Sequence, residues 1–363
     1  MARIEKIQIR NFKSYKKYNL SINHQFKHII IYGKNGVGKT NLLDSFAFFS
    51  NTKGLRGNGL DDIFPINESN AVNTKVKIEL SAKNIFYNFI YEIVREDSKL
   101  KKKILLDNNN ISLLGIKKFI NFIWLTPHMD KIMYEGQSLK RNFIDKMISQ
   151  SDQYFSKSIL AYKKNSAERL RVLKSSKDEK WLHILERKVA ENIYDIFTLR
   201  RKYAEELNNT IDIKLKKFRE IKIEFSNNLF TDLTDKNDSI NLFVNELKNK
   251  RQLDEITKRM NFSINSDRII FFDQENKTST DYCSTGEQKS SLLTMILANC
   301  WKLKDNDKEF ILLLDEAVSH MDNSNFEKLF NEVDKFDTQI WYTGTNKNLF
   351  QVIEKKGFFI HLQ

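Results

Sequence analysis

Cysteine is nearly absent. Cys283 and Cys300 are the two in 363 residues, so no disulfide framework can be built, and both are expected to be core thiols rather than ligands or nucleophiles. Long apolar runs are missing too. No stretch approaches the roughly 18 residues that a membrane span needs, and the first residues lack a signal-peptide pattern. A soluble, cytoplasmic chain with no membrane partner is expected. Glycine is scarce, 11 in all with none between Gly136 and Gly286, which suits long helices and few tight loops. Acids are outnumbered, 47 against 60 Lys and Arg, for a formal net charge of +13. Such a surplus is the footprint of a polyanion partner; the lesser alternative is that it only accompanies the Lys/Asn/Ile bias of the whole chain.

The scarce glycine is concentrated in one place. Gly33-Lys34-Asn35-Gly36-Val37-Gly38-Lys39-Thr40 fits G-x-x-x-x-G-K-[ST], follows the apolar run Ile29-Ile30-Ile31-Tyr32 and opens an amphipathic helix expected over 39–49. That context gives the pattern a mechanism. Glycines let backbone N–H groups wrap phosphates, Lys39 reaches the β- and γ-phosphate oxygens, and the Thr40 hydroxyl can ligate Mg²⁺. These eight residues, with Asn41 behind them, are the candidate nucleotide-binding set.

Near the other end, Ile311-Leu312-Leu313-Leu314 runs into Asp315-Glu316. An apolar strand ending in two acids is how a buried parallel strand delivers carboxylates to the C-terminal edge of a sheet. Asp315 is suited to hold Mg²⁺ with Thr40, and Glu316 to orient or deprotonate an attacking water. Upstream stands Cys283-Ser284-Thr285-Gly286-Glu287-Gln288-Lys289, leading into an apolar helix expected over 290–303. A serine and a glycine at a helix N-terminus offer one phosphate a hydroxyl, N–H groups and the positive end of a dipole. Taken singly, these two runs would read as an ordinary strand end and a helix cap. In this order the three motifs resemble an ABC-type ATPase head. The resemblance implies that Ser284, Gly286 and Gln288 serve the nucleotide held by a second copy, so that ATP and Mg²⁺ lie between the heads of an ATP-dependent homodimer. Lys39, Glu316 and Ser284 are then the catalytic candidates.

Residue usage changes along the chain. Period-two runs such as Lys75-Val76-Lys77-Ile78-Glu79-Leu80 and Phe86-Tyr87-Asn88-Phe89-Ile90-Tyr91 read as hairpin strands of a mixed sheet. From Ser138 to Asn209 the period becomes helical. Phe155, Ile159, Tyr162, Ser166 and Leu170 form one stripe, Leu185, Val189, Ile193, Ile196 and Tyr203 another, and Ser175-Ser176-Lys177-Asp178 the turn. A short strand near 222–225 and a helix near 239–260 lead to a strand at 268–272, expected to re-enter the nucleotide fold. The expected fold class is α/β: an ABC-type P-loop ATPase head with a mixed β-sheet lobe (1–122 plus 261–363) and an inserted helical lobe (123–260) bearing a short antiparallel arm. Helices of roughly 22 and 30 residues reach only about 30 to 45 Å, too short for the coiled-coil arm of chromosome-structuring ATPases. Between Gln153 and Ile221 there are 17 Lys and Arg against 10 Asp and Glu. Lys163, Lys164, Arg169 and Arg171 are candidate DNA contacts on a basic finger, and equally candidates for a solvated face.

Further runs make the chain similar, over nearly its whole length, to the RecF family of bacterial DNA replication and recombination-repair ATPases. They are Ile9-Arg10-Asn11-Phe12-Lys13-Ser14-Tyr15, Thr40-Asn41-Leu42-Leu43-Asp44, Lys53-Gly54-Leu55-Arg56, Trp124-Leu125-Thr126-Pro127, Arg141-Asn142-Phe143-Ile144-Asp145, the Ser284 to Lys289 signature and Gln339-Ile340-Trp341-Tyr342-Thr343-Gly344. The resemblance implies a weak DNA-stimulated ATPase that binds double-stranded DNA and junctions of single- and double-stranded DNA. It further implies work with RecR and RecO in RecA loading, gap repair and the SOS response, in the cytoplasm at the nucleoid. An ATP-gated protein scaffold of the SMC-like class with incidental DNA contact is the other reading. Some positions depart from the family pattern. Where it carries G-P-H-R-x-D, Phe262-Ser263-Ile264-Asn265-Ser266-Asp267 keeps Ser266 and Asp267. No glutamine is identifiable between the lobes; His128 lies near its place and reads more readily as a packing or surface residue than as a Mg²⁺ sensor. Where transporters place a switch histidine, this chain has Thr343-Gly344-Thr345, and a threonine hydroxyl can sense a γ-phosphate but does not titrate near neutral pH. His320 is expected on the dimer loop. Arg56, flanked by Gly54, Gly57 and Gly59, is expected to reach nucleotide or DNA, or to be a solvated loop residue.

Overall fold

Strands Asn121–Leu125, Phe310–Leu314 and Ile340–Gly344 are buried at every residue, as strands covered on both faces must be. In a computed structural model they join two more in a five-stranded parallel sheet. Its order is Gly357–His361, His28–Tyr32, Ile340–Gly344, Phe310–Leu314, Asn121–Leu125. Because all five run the same way, the P-loop after His28–Tyr32 and the acids after Phe310–Leu314 leave one edge of the sheet, with a single strand between them. The structure describes residues 1–50, 63–65, 73–96, 99–176, 178–227, 229–230, 235–317 and 321–363.

Strict alternation builds a second sheet. Asn73–Ala82 buries every other residue and pairs antiparallel with Arg3–Phe12 and Ile85–Glu96; Tyr15–Ser21, Lys99–Leu106 and Asn109–Asn110 complete six strands. The turn at Lys83-Asn84 holds φ of 49° and 62°, the two-residue geometry whose twist suits the flanking strands. Parallel and antiparallel pairing are therefore both present, sorted into separate sheets. Helix Lys39–Ala47 connects them. Phe46 meets Phe122 and Trp341 of the parallel sheet at ring-centroid distances of 6.2 and 5.0 Å, while Phe48 and Phe49, just past the helix, meet Phe12, Phe89 and Tyr91 of the antiparallel one. Each fully buried Phe stabilises the fold by about 1.5–3 kcal/mol relative to exposure, so these aromatic anchors hold the C-terminal end of the helix between the two sheets.

These elements belong to a compact unit of residues 1–129 and 299–363, into whose sequence a second unit, 130–298, is inserted. The second unit contains helices Gln137–Ser151, Gln153–Lys174, Glu179–Lys214, Lys236–Asn249 and Arg251–Thr257. Asp152, Asp178 and Asp235 cap three of them by accepting first-turn N–H bonds. The long arm helix has 36 residues, more than expected, because its buried stripe continues through Leu207 and Ile211. Arg268–Asp273 does not enter the nucleotide fold. It pairs antiparallel with Ile221–Ser226 and Thr278–Ser279, where Ile269 and Phe271 are buried as Ile221 and Ile223 are. Residues 261–298, which the sequence assigned to the ATPase lobe, thus group with the helical unit, and the boundary falls inside helix Thr285–Asp305. Cys300 is fully buried, whereas Cys283 is only partly so. Among the described residues no helix is long and apolar enough to cross a membrane.

Candidate functional site

The P-loop depends on its glycines at two points. Gly36 and Gly38 hold φ of 86° and 102°, and a Cβ on Gly38 would approach Ser14 Oγ to 2.8 Å and Tyr15 Oη to 2.9 Å. Lys34, Asn35 and Gly36 are exposed at the apex. The following helix takes Gly38 as its N-cap and has no side-chain cap, which leaves its first N–H groups for a ligand, and a phosphate is the natural one. Lys39 is buried, its ammonium donating to the carbonyls of Gly33 and Lys34 at 2.8 and 3.0 Å. Three consecutive residues of the first hairpin support this helix. Lys13 pairs with Asp44, Ser14 Oγ accepts from Asn41 Nδ2 at 2.9 Å, and the Tyr15 hydroxyl donates to the Gly38 carbonyl at 3.0 Å. Asn41, expected at the nucleotide, has its amide engaged with that hairpin.

Thr40 donates to Asp315 Oδ1 at 3.1 Å. Asp315 is buried, and its N–H donates to the Leu125 carbonyl at 2.9 Å. Thr343, fully buried, donates to the same Oδ1 at 2.7 Å and accepts from the Glu316 N–H at 2.8 Å. That hydroxyl, expected to sense a γ-phosphate, is committed here to the two acids. Glu316 has φ 52°, sparsely populated for a residue with a side chain, and the Thr343 bond helps hold it there. One strand over, Thr126 is buried, and its hydroxyl has no hydrogen-bond partner among the described residues. His128 is exposed. Arg56 with its glycines, and His320, lie outside the described residues. The oxygens of Thr40 and Asp315 are hard donors suited to Mg²⁺, which takes few protein ligands and keeps waters and phosphate oxygens for the rest. The unsatisfied hydroxyl of Thr126 fits such a hydrated ligand.

In the second unit, Ser284 caps helix Thr285–Asp305. Its N–H and hydroxyl both donate to Glu287 Oε2 at 2.8 Å, and the Glu287 N–H returns to Ser284 Oγ at 3.4 Å, a reciprocal capping box. Asn276 and Arg219 donate to the other carboxylate oxygen at 2.9 and 3.0 Å. The bonds from Asn276 and Ser284 lower the Glu287 carboxyl to about 2. Ser284 and Gly286 are exposed, with open space around the glycine. Gln288 differs from expectation: it is buried, and its amide donates to the Thr280 carbonyl at 2.9 Å. One helical turn past the cap, its side chain holds the preceding turn in place and is not presented to a ligand.

The DNA candidates divide. Lys163, Lys164 and Arg171 are exposed, the last 3.7 Å from Glu168. Arg169 must be withdrawn. It is fully buried, donating to Asp254 at 2.6 Å, to Glu186 at 3.2 Å and to the Leu247 carbonyl at 2.6 Å. A guanidinium can be buried when carboxylates and carbonyls satisfy its donors, and this one falls on the same helical stripe as Tyr162 and Ser166, a signal present in the sequence. Asp267 is buried likewise, accepting from Arg200 at 3.3 Å, Arg201 at 3.1 Å and Asn227 at 3.0 Å. Its part is to tie the helical unit together.

Residues 3–359 match the family model described as RecF/RecN/SMC N terminal domain. Among curated proteins, the DNA replication and repair protein RecF of Rickettsia conorii (strain ATCC VR-613 / Malish 7) is 28% identical over 346 residues, covering 94% of each chain. That of Rickettsia rickettsii (strain Sheila Smith) is 27% identical over 362 residues, covering 99% of each. Among solved structures, the recombination mediator protein RecF-ATPrS in the RecFOR pathway superposes with a TM-score of 0.82 at 22% identity, covering 99% of this chain and 96% of that one. An Smc head domain with an extended coiled coil, bound to the C-terminal domain of ScpA and derived from Pyrococcus furiosus, gives 0.52 at 18% identity, covering 100% and 94%. The fold is therefore that of a RecF chain and, more distantly, of an Smc head.

Proposed function

This chain belongs to the RecF/RecN/SMC N terminal domain family, and on that premise we propose that it is a DNA replication and repair ATPase. In this reading it closes as an ATP-dependent homodimer on double-stranded DNA and on junctions with single strands. RecR and RecO are its partners in loading RecA. The observation that carries the ATPase reading is the convergence of Lys39, Thr40, Asp315, Thr343 and Glu316 at one edge of the parallel sheet, joined by the bonds from Thr40 and Thr343 to a single carboxylate oxygen. In this proposal the ATPase lobe is 1–129 with 261–363, since strand Asn121–Leu125 belongs to the parallel sheet and the signature acts on nucleotide, and 130–260 is the inserted lobe.

Lys39 exchanges its loop carbonyls for phosphate oxygens and supplies the main counter-charge. Thr40 and Asp315 would hold Mg²⁺, which when bound neutralises phosphate charge and polarises the phosphoryl group. Glu316, held by Thr343, orients the attacking water. Ser284 of a second copy donates to the γ-phosphate after releasing Glu287, a competition in keeping with slow turnover. The net charge of +13 and the exposed Lys163, Lys164 and Arg171 support a polyanion partner. The test is a duplex-binding titration with and without ATP at two salt concentrations. Affinity should rise with ATP and fall steeply with salt, since each neutralised phosphate releases counterion. Binding of duplex that ignores ATP would refute the gating reading.

A further inference from the structure

Among the described residues, Thr126 carries the buried hydroxyl at this sheet edge that has no hydrogen-bond partner. It follows strand Asn121–Leu125, which lies beside Phe310–Leu314 in parallel register, Leu125 opposite Leu314. The Asp315 N–H continues that ladder to the Leu125 carbonyl at 2.9 Å, so Thr126 and Asp315 are lateral neighbours one step beyond the paired strands. Pro127 keeps the preceding residue extended, which preserves the strand's alternation through Thr126. On the far side of Asp315, Thr343 occupies the corresponding place and is fully engaged. The carbonyl of Thr126 accepts from the Met129 N–H at 3.0 Å, so its backbone is committed while its buried hydroxyl is not. A buried polar group left unsatisfied costs about 1–3 kcal/mol. Its retention at this edge points to a ligand that completes it.

We propose that Thr126 is a positioning residue of the nucleotide–metal site, its hydroxyl bonding a water of the divalent cation's hydration shell beside Asp315. The inference rests on the nucleotide reading above. Mg²⁺ keeps several of its waters when bound, and outer-sphere partners of this kind typically change metal affinity 10- to 100-fold. Neither Thr40 nor Asp315 needs altering to test it.

Thr126→Val removes the hydroxyl at constant shape, and Thr126→Ser restores it. The full-length protein is titrated with ADP by calorimetry in EDTA and in Mg²⁺, and free Mn²⁺ is followed by its EPR signal at saturating ADP. The valine variant should bind ADP normally in EDTA, hold Mn²⁺ roughly 10-fold more weakly, and unfold at or slightly above the wild-type temperature, because an unsatisfied polar group has been removed. The serine variant should recover the metal affinity. Wild-type Mn²⁺ affinity in the valine variant would overturn the proposal, as would equal loss of ADP binding in both arms together with a lowered unfolding temperature, the mark of a packing residue. A wild-type protein that binds no nucleotide in either arm would overturn the nucleotide reading itself, and this inference with it.

Discussion

Thr343→Val should separate the assembly of the acids from the P-loop's grip on nucleotide. The substitution keeps a β-branched side chain in a fully buried position and deletes one oxygen that makes two bonds. The bond donated to Asp315 at 2.7 Å is charge-assisted, contributing about 1.5–3 kcal/mol. The bond accepted from the Glu316 N–H at 2.8 Å is half-buried, so water can partly replace it, and its loss costs about 1 kcal/mol. A better-buried methyl offsets about 0.8 kcal/mol. The net destabilisation is about 2–3 kcal/mol, which for a unit of this size lowers the unfolding temperature by roughly 4–12 °C. Glu316, released from φ 52°, loses its orientation toward water. Hydrolysis should fall by roughly 10²-fold while ATP binding through Lys39 stays within about 3-fold. Thr343→Ser keeps the oxygen and should recover most of both. Thermal unfolding and single-turnover hydrolysis read the two effects separately. A valine variant as stable as wild type, with unchanged hydrolysis, would refute the clamp.

Neither Lys39→Ala nor Ser284→Arg should dimerise with ATP alone, the latter also losing about 1 kcal/mol of helix cap; sedimentation of their mixture should recover partial association through one intact site, and a self-sufficient Ser284→Arg protein would sink the shared site. Burial lowers His28 from 6.5 to about 4 against the pull of Asp334, so the fold favours neutral imidazole. That stability is complete above pH 6.5 and is lost as pH falls toward and through 4, by about 3 kcal/mol at most. His28→Asn should flatten urea stability between those pH values, and an unflattened profile would assign the loss to other groups. Arg169→Ala should cost about 3–5 kcal/mol by uncovering buried Asp254 and Glu186. Lys163→Glu with Lys164→Glu should leave urea stability unchanged and weaken duplex binding with a shallower salt slope, so the opposite pattern would return Arg169 to the DNA surface.

What the sequence made legible is what depends on neighbours along the chain. The P-loop, the acid-ended strand and the signature are each a run of a few consecutive residues, and period-two and helical stripes follow from local geometry. Thr126 and Thr343 are different. Their relation to Asp315 exists only because Asn121–Leu125 and Ile340–Gly344 flank Phe310–Leu314, an ordering that no local pattern encodes. The strand at 268–272 is visible in the sequence, but its partner is not, since no local pattern says whether it pairs with Ile221–Ser226 or with a central strand. Arg169 was misread for another reason. Counting charges along 153–221 treats every cation as surface, although its stripe position beside Tyr162 and Ser166 marks it as inward. Gln288 shows the same lesson in a motif: membership in the run said nothing of which way its side chain turns.

Ligand binding at this head is therefore an exchange. Lys39 is satisfied by two loop carbonyls, Thr40 by Asp315, and Ser284 by Glu287, so each must release an internal bond before meeting a phosphate or cation. Exchanging one hydrogen bond for another contributes little. What remains favourable is charge: a polyphosphate meeting a buried ammonium and an uncapped helix N-terminus. At the signature the balance reverses. Ser284 is bonded to a carboxylate held down to a pKa of about 2, and a second anion brought to that helix end is repelled until Glu287 releases Ser284 and keeps only its bonds from Asn276 and Arg219. In the proposed dimer, closure would then depend on a full triphosphate, whose third phosphate would supply the charge-assisted bonds that compensate for releasing Glu287. ADP, lacking that group, should occupy the P-loop and leave the signature capped.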